Sequence, residues 1–418
     1  MGTPAKRRPE FFAARWRIRA LQDGPAGALF EGFAQALSHM RYAAITGRRH
    51  LRAAEHFIDW TNRNGLSVPD LNGQALARFG RHLGRCRCHY AHANRIDVLN
   101  GARIFLTYLR DAQMISASAL HDAVQDPVLF SAFSQWMRQQ RGTCAATLSN
   151  YRRPIRELLR HLGEVPSRWN VHQLRAFVLE NSRRSGWAAA KQCTTALRMF
   201  VRFLIADGHC PVGFEAAIPT VAHRRLAALP RYLQPAEVER LIASCDRTSP
   251  VGRRDRAILL LLARLGLRAG DIVQLRVSDI DWRGAWIHVY GKSCRHTRLP
   301  LTQEQAIVAY LQRGRPRTDA DALFVRCRAP FRAFRSHCAI SVIVDRALRR
   351  AGVARPSRGA AHLLRHSVAT SMLREGASLQ DIAAILRHRS IQTTQIYAKV
   401  DVAALQPIAQ PWPEVRPC

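Results

Sequence analysis

His362 and Arg365 stand one helical turn apart in the run from Ala361 to Val400, AHLLRHSVATSMLREGASLQDIAAILRHRSIQTTQIYAKV, of a 418-residue chain. A spacing of three puts an imidazole and a guanidinium on one helix face, where both can reach a single anion. His388 follows, and nine residues beyond it stands Tyr397, behind the pair Thr393-Thr394 and ahead of Lys399. A phenol with a pKa of about 10 is a poor nucleophile at neutral pH, so a reacting tyrosine needs a base or a positive field beside it.

A second block lies upstream. Gly266-Leu267-Arg268 precedes Asp271 and Leu275 at a helix start, and the alternating run Trp286 to Tyr290 reads as a strand entering a hairpin at Gly291-Lys292. Arg298 to Leu301 reads as the returning strand. Taken together, the two blocks resemble the active-site motifs of the tyrosine recombinases, the phage-integrase family of DNA strand-exchange enzymes. The resemblance is close from about Leu229 to Val400 and holds only in pattern before that.

Carried over residue by residue, the resemblance implies that Arg268, Lys292, His362, Arg365 and His388 serve a nucleophilic Tyr397. Asp271 is expected to orient Arg268, and His366 to be structural or supporting. The implied reaction is site-specific recombination through a 3′-phosphotyrosine intermediate, with no ATP, metal or other cofactor. Arg268 and Arg365 neutralise the nonbridging phosphate oxygens, with His388 as a third donor. His362 or a neighbour assists the phenol, and Lys292 protonates the departing 5′ oxygen. The implied setting is integration, excision or transposition of a mobile element, by a homo-tetramer on double-stranded DNA or by a hetero-assembly with related recombinases. A type IB topoisomerase and a catalytically idle DNA-binding accessory protein are the alternatives. One departure from the family pattern is Arg387, which stands before His388 where many members carry glycine.

Composition bears on the same reading independently. The formal net charge is +34, an excess that repels itself unless a polyanion neutralises it, so nucleic acid is the expected partner. No segment approaches the length of apolar sequence needed to span a bilayer, and the N-terminus has no secretory pattern, so a cytoplasmic protein without a membrane role is expected. Among 64 basic residues, lysine occurs only at Lys6, Lys191, Lys292 and Lys399. Arginine does not release its proton in any useful range and lysine does, so a lysine kept in the hairpin fits a proton donor. The ten cysteines follow no disulfide framework and read as reduced thiols. Cys86, Cys88, His89 and His92 cluster in sequence, but C-x-C is not the usual C-x-x-C knuckle and no second pair follows. The cluster is therefore expected to be a solvated basic turn, with no metal.

Periodicity predicts a mainly α protein: helical DNA-binding bundles followed by an α+β catalytic domain with a small antiparallel β-sheet. The organisation expected is a basic arm over 1–40, a helical bundle over 41–120, a core-binding bundle over 126–212, a linker over 213–229, the catalytic domain over 230–400 and a tail over 401–418. The first bundle reads as a duplicate of the second, with the alternative left open that any two helical stretches look alike. In the second bundle Arg152, Arg153, Arg156, Arg198 and Arg202 are candidate phosphate contacts.

Overall fold

The computed structural model describes residues 27–88, 90, 94–116, 126–220, 229–291, 296–302, 304–356, 359–388, 390–400 and 406. Its contacts divide the chain into two units, residues 53–225 and residues 1–52 together with 226–418. The fold is mainly helical with one small sheet, as expected, and no helix among the described residues is long and apolar enough to cross a membrane.

Eight helices occupy the N-terminal half of the described chain: α1 (Gly27–His39), α2 (Ala44–Arg63), α3 (Gly73–His82), α4 (Arg95–Asp111), α5 (Val128–Arg141), α6 (Ala145–Leu162), α7 (Val171–Arg184) and α8 (Trp187–Ala206). α1 lies in the stretch read as a basic arm, and its buried face is Phe30, Phe33, Ala34 and Leu37. α5 repeats that spacing with Phe130, Phe133, Ser134 and Met137.

The parallel continues through both sets. A 3-10 turn, Val68–Asp70 or Pro166–Arg168, joins the second helix of each set to the third. The third helix is capped by an asparagine in each set: the Asn72 side chain accepts from Ala75 N at 2.9 Å, and the Asn170 side chain from Gln173 N at 2.8 Å. The fourth helix closes on a left-handed residue in each, Gln113 (φ 59°) or Gly208 (φ 77°). The next backbone N–H then bonds back to Leu109 O or Leu204 O, at 2.8 Å in both. In the second set Phe133 meets Phe200 edge-on at 5.4 Å, within a core that α5 to α8 share.

The C-terminal unit is built around α10 (Pro250–Leu265), whose residues Ala257 to Ala263 are all buried. A helix apolar on every side needs neighbours on every side. They are α9 (Pro235–Ala243), α11 (Ala269–Gln274), α12 (Glu304–Arg313), α13 (His337–Arg350) and α14 (Ala360–Arg374), all contributing to one core except α15 (Leu379–Ile385), which packs on α14. The sheet runs β1 (Ile280–Asp281), β2 (Trp286–Tyr290), β3 (His296–Pro300), antiparallel throughout, with Ile287 opposite Leu299 and Tyr290 opposite His296. Ile287, Val289 and Leu299 face the core. Across the other face, the Arg298 guanidinium lies 4.0 Å over the Trp286 ring.

α10 ends at Gly266, whose φ of 57° is in the left-handed region. A Cβ there would come within 2.6 Å of Leu386 Cδ2. Glycine thus serves both the turn and the close approach of the 386–388 segment, and both deliver Arg268 to the site.

Candidate active site

Arg268 caps the start of α11. Its backbone N–H donates to Asp271 Oδ2 at 2.8 Å, and its guanidinium Nη2 donates to Arg387 O at 2.9 Å and Leu386 O at 3.4 Å. Arg365 comes from the buried face of α14; its Nη1 donates to Gly266 O and its Nη2 to Leu386 O. One carbonyl oxygen, that of Leu386, therefore accepts from both guanidinium groups. Two cations share one locus between the end of α10 and the end of α15. Burial, and then the neighbouring Arg268, pull Arg365 down to about 9, which still leaves it charged at neutral pH.

Asp271 orients Arg268 through the backbone, not through the guanidinium. Its Oδ2 also takes Arg387 Nη2 at 2.6 Å, with both side chains buried. This pair accounts for the departure at position 387. The φ of Arg387 is 55°, the left-handed conformation that closes a helix and that glycine adopts without strain. Arginine there costs about 1 kcal/mol of backbone strain and gains a buried ion pair with Asp271.

The third element is the segment Gln395–Val400, a 3-10 turn that carries Tyr397 inward to a cluster with Ala369, Ile382 and Leu386. The Tyr397 hydroxyl lies 2.8 Å from His366 Nδ1. The resemblance left the imidazole that assists the tyrosine open between His362 and a neighbour; the structure places His362 at an exposed position one turn earlier on α14 and brings His366 to the hydroxyl. The two histidines share one face of α14 and differ by one turn along it: the Gln395–Val400 segment packs on α14 where it meets His366, while His362 sits at the start of the helix beside Gly359. Burial, reinforced by His362 and Arg365, pulls His366 down to about 4, so its imidazole is neutral at pH 7. Burial pushes the Tyr397 phenol up to about 12, against a lowering by Arg365.

His388 Nδ1 lies 2.7 Å from Thr394 Oγ1, which is fully buried and fixes the ring. Burial, then Arg365 and Arg268, bring His388 down to about 4. Of the six residues expected to act, Arg268, Arg365, His388 and Tyr397 come together around the 386–388 segment, and His362 stands at the start of the same helix. Lys292 lies outside the described residues. Sequence reasoning missed Thr394 as the partner of His388, although the Thr-Thr pair was visible beside the tyrosine.

The candidate phosphate-binding arginines are for the most part engaged within their own bundle. Arg152 pairs with Asp126 at 2.6 Å, Arg156 lies 4.0 Å from the same carboxylate, Arg153 pairs with Glu157 at 2.8 Å, and Arg198 donates to Ile218 O at 2.9 Å. Arg202 is exposed. Lys191 lies 5.3 Å over the exposed ring of Trp187, a cation and an aromatic face presented together.

Comparison with known proteins identifies the family. The profile of the phage integrase family matches residues 231–403. An integrase/recombinase of Sinorhizobium fredii is 36% identical over 417 residues, covering 96% of this chain and 98% of its own length. The tyrosine recombinase XerD of Mycobacterium tuberculosis is 33% identical over 293 residues, covering 64% of this chain and 92% of its own. Among solved structures, the XerH site-specific recombinase in a post-cleavage complex with a palindromic difH substrate has a similar fold, with a TM-score of 0.54 at 20% identity over 84% of this chain and 98% of that one. A fragment of lambda integrase, as a dimer on a COC′ core site, gives a TM-score of 0.51 at 17% identity over 68% of this chain and 98% of that one.

The chain belongs to the phage integrase family and is a tyrosine-type site-specific recombinase.

Proposed function

We propose that this recombinase cleaves and rejoins double-stranded DNA through a 3′-phosphotyrosine bond at Tyr397, in the integration, excision or transposition of a mobile element. The observation that carries the reading is the convergence of Arg268 and Arg365 on one carbonyl oxygen, in the same unit as a neutral imidazole 2.8 Å from the tyrosine hydroxyl. A phosphodiester resists nucleophiles because of its charge. Two permanent cations preset at one point neutralise its nonbridging oxygens and hold the charge of the transition state.

In the proposed step the Tyr397 oxygen attacks phosphorus and its proton passes to His366 Nδ1. The bond to the 5′ oxygen breaks, and that oxygen takes a proton from Lys292. The phosphotyrosine bond keeps the energy of the broken linkage, so the 5′ hydroxyl of another strand can reverse the step. His388 and His362 add donors to the phosphate; DNA phosphate beside His388 favours its charged form.

The net charge of +34 supports DNA as the partner. The repeated helix set supports a duplicated DNA-gripping bundle ahead of the catalytic unit. Related recombinases solved as a dimer on DNA and as a substrate complex support action as a multimer, either a homo-tetramer or a hetero-assembly.

Tyr397→Phe tests the reading. The variant is expected to bind duplex DNA as the parent chain does and to yield no detergent-stable protein–DNA adduct. An adduct that persists in the variant sinks the assignment of the nucleophile.

A further inference from the structure

The two helix sets differ in the connection from the third helix to the fourth. Between α7 and α8 lie only Ser185 and Gly186, whereas between α3 and α4 the chain runs from Leu83 to Asn94 and contains Cys86 and Cys88. Both cysteines turn back onto the helices. Cys86 Sγ lies 3.5 Å from His56 Nε2 on α2, and Cys88 Sγ lies 3.8 Å from His82 Nε2 at the end of α3. One nitrogen from each imidazole and the two sulfurs all lie within 4.8 Å of one another. The corners of a tetrahedral zinc site with metal–sulfur and metal–nitrogen bonds of ordinary length are separated by about 3.6 Å from sulfur to nitrogen, close to the two separations found here. The Cys88 backbone N–H also points at Cys86 Sγ, 3.3 Å away, as suits a sulfur carrying negative charge.

We propose that His56, His82, Cys86 and Cys88 bind one zinc ion as a closed Cys2His2 site that ties α2, α3 and the α3–α4 connection together. Two thiolates and two imidazoles meeting at one point match the ligand softness and tetrahedral preference of zinc. All four positions are filled by protein, so the site is structural and leaves no coordination position for a reacting water.

The surroundings suit that role. His56 is 3% exposed, stacked on Tyr90 at 4.7 Å and met edge-on by Phe79 at 5.1 Å, so its ring cannot turn away without opening the bundle. The second helix set lacks the site in a consistent way. His56 precedes the buried pair Phe57-Ile58 as Glu157 precedes Leu158-Leu159, and His82 follows Phe79 by three residues as Glu180 follows Phe177. The second set has carboxylates at both helix positions and a connection too short to bring in sulfur; its closure comes from the apolar core that α5 to α8 share. The first set closes with a metal where the second closes with packing. Sequence spacing alone pointed to His89 and His92, which lie outside the described residues; the helices, 4 residues and 30 residues before Cys86, supply His82 and His56 instead.

The test is native mass spectrometry of the full-length chain, expressed with zinc in the medium and desalted without chelator, with cobalt substitution as a second readout. The expected results are a mass increment of one zinc per chain and, after exchange, the intense visible absorption of tetrahedral cobalt with a near-ultraviolet thiolate-to-metal band. The double substitution Cys86→Ser with Cys88→Ser is expected to lose both signals, and Cys338→Ser, at an exposed thiol elsewhere, to keep them. Should the double variant fail to fold, the parent chain decides alone. A wild-type chain without a bound metal, whether its Cys86 and Cys88 titrate as free thiols or as a disulfide, overturns the proposal, as does zinc retained undiminished in a folded double variant.

Discussion

Arg365→Ala is expected to lower strand cleavage by about a thousandfold and to destabilise the catalytic unit by about 3 kcal/mol. Both effects come from one side chain. The guanidinium joins Gly266 O to Leu386 O across the closure between α10 and α15, so truncation leaves Gly266 O without a donor and Leu386 O with only its bond from Arg268. The same truncation removes one of the two permanent charges at the proposed phosphate position. Arg365→Lys is expected to restore charge without restoring activity. An ammonium is a point donor on a flexible stem and does not span two carbonyls as a planar fork does. Denaturant unfolding with single-turnover cleavage of a nicked duplex separates the two losses. Full activity in the lysine variant would show that charge alone suffices and that the fork geometry is incidental.

His366→Phe is expected to lower the cleavage rate by about a hundredfold while DNA binding is unchanged. Phenylalanine keeps the ring between α14 and the tyrosine segment but cannot take the phenol proton. The variant also has a pH signature. His366 and His388 each have a folded pKa near about 4 against an ordinary 6.5, so between those values the unfolded chain binds protons that the folded chain refuses. Their contribution to stability is complete above pH 6.5, declines as pH falls through that window, and levels off once pH is below about 4. His366→Phe removes one of the two groups, so its stability is expected to fall less than the parent's between pH 7 and pH 5 in denaturant titrations. A variant that cleaves at the parental rate would move the base to another residue.

Much of the site was legible before the structure, because spacing on a helix is a geometric statement. His362 and Arg365 share a turn, and Arg268 with Asp271 marks a helix start; both readings depend only on local backbone geometry. The strand Trp286–Tyr290 followed from alternation, and its return over His296–Pro300 differs from the reading by a shift of one or two residues. What the sequence did not show depends on tertiary approach. That His366 and not His362 meets Tyr397 depends on where along α14 the Gln395–Val400 segment packs, because the two histidines share one face. That Arg387 is tolerated where glycine is common depends on a carboxylate 116 residues away in sequence. α1 was read as an arm because its arginine-rich surroundings masked the spacing of Phe30, Phe33 and Leu37, which becomes clear beside α5. The histidines near Cys86 were likewise sought in the adjacent sequence, whereas those that converge on it come from α2 and α3.

The central claim is that Tyr397 forms a covalent bond to a 3′ phosphate. Its most direct test is to trap the parent chain on nicked duplexes drawn from the DNA flanking its gene, digest the denatured complex, and map the modified peptide by mass spectrometry. The account predicts a nucleotide adduct on the peptide containing Tyr397, joined through a 3′ phosphate and formed without added metal or ATP. An adduct on another residue, a 5′ linkage, or retarded DNA with no covalent species would contradict it.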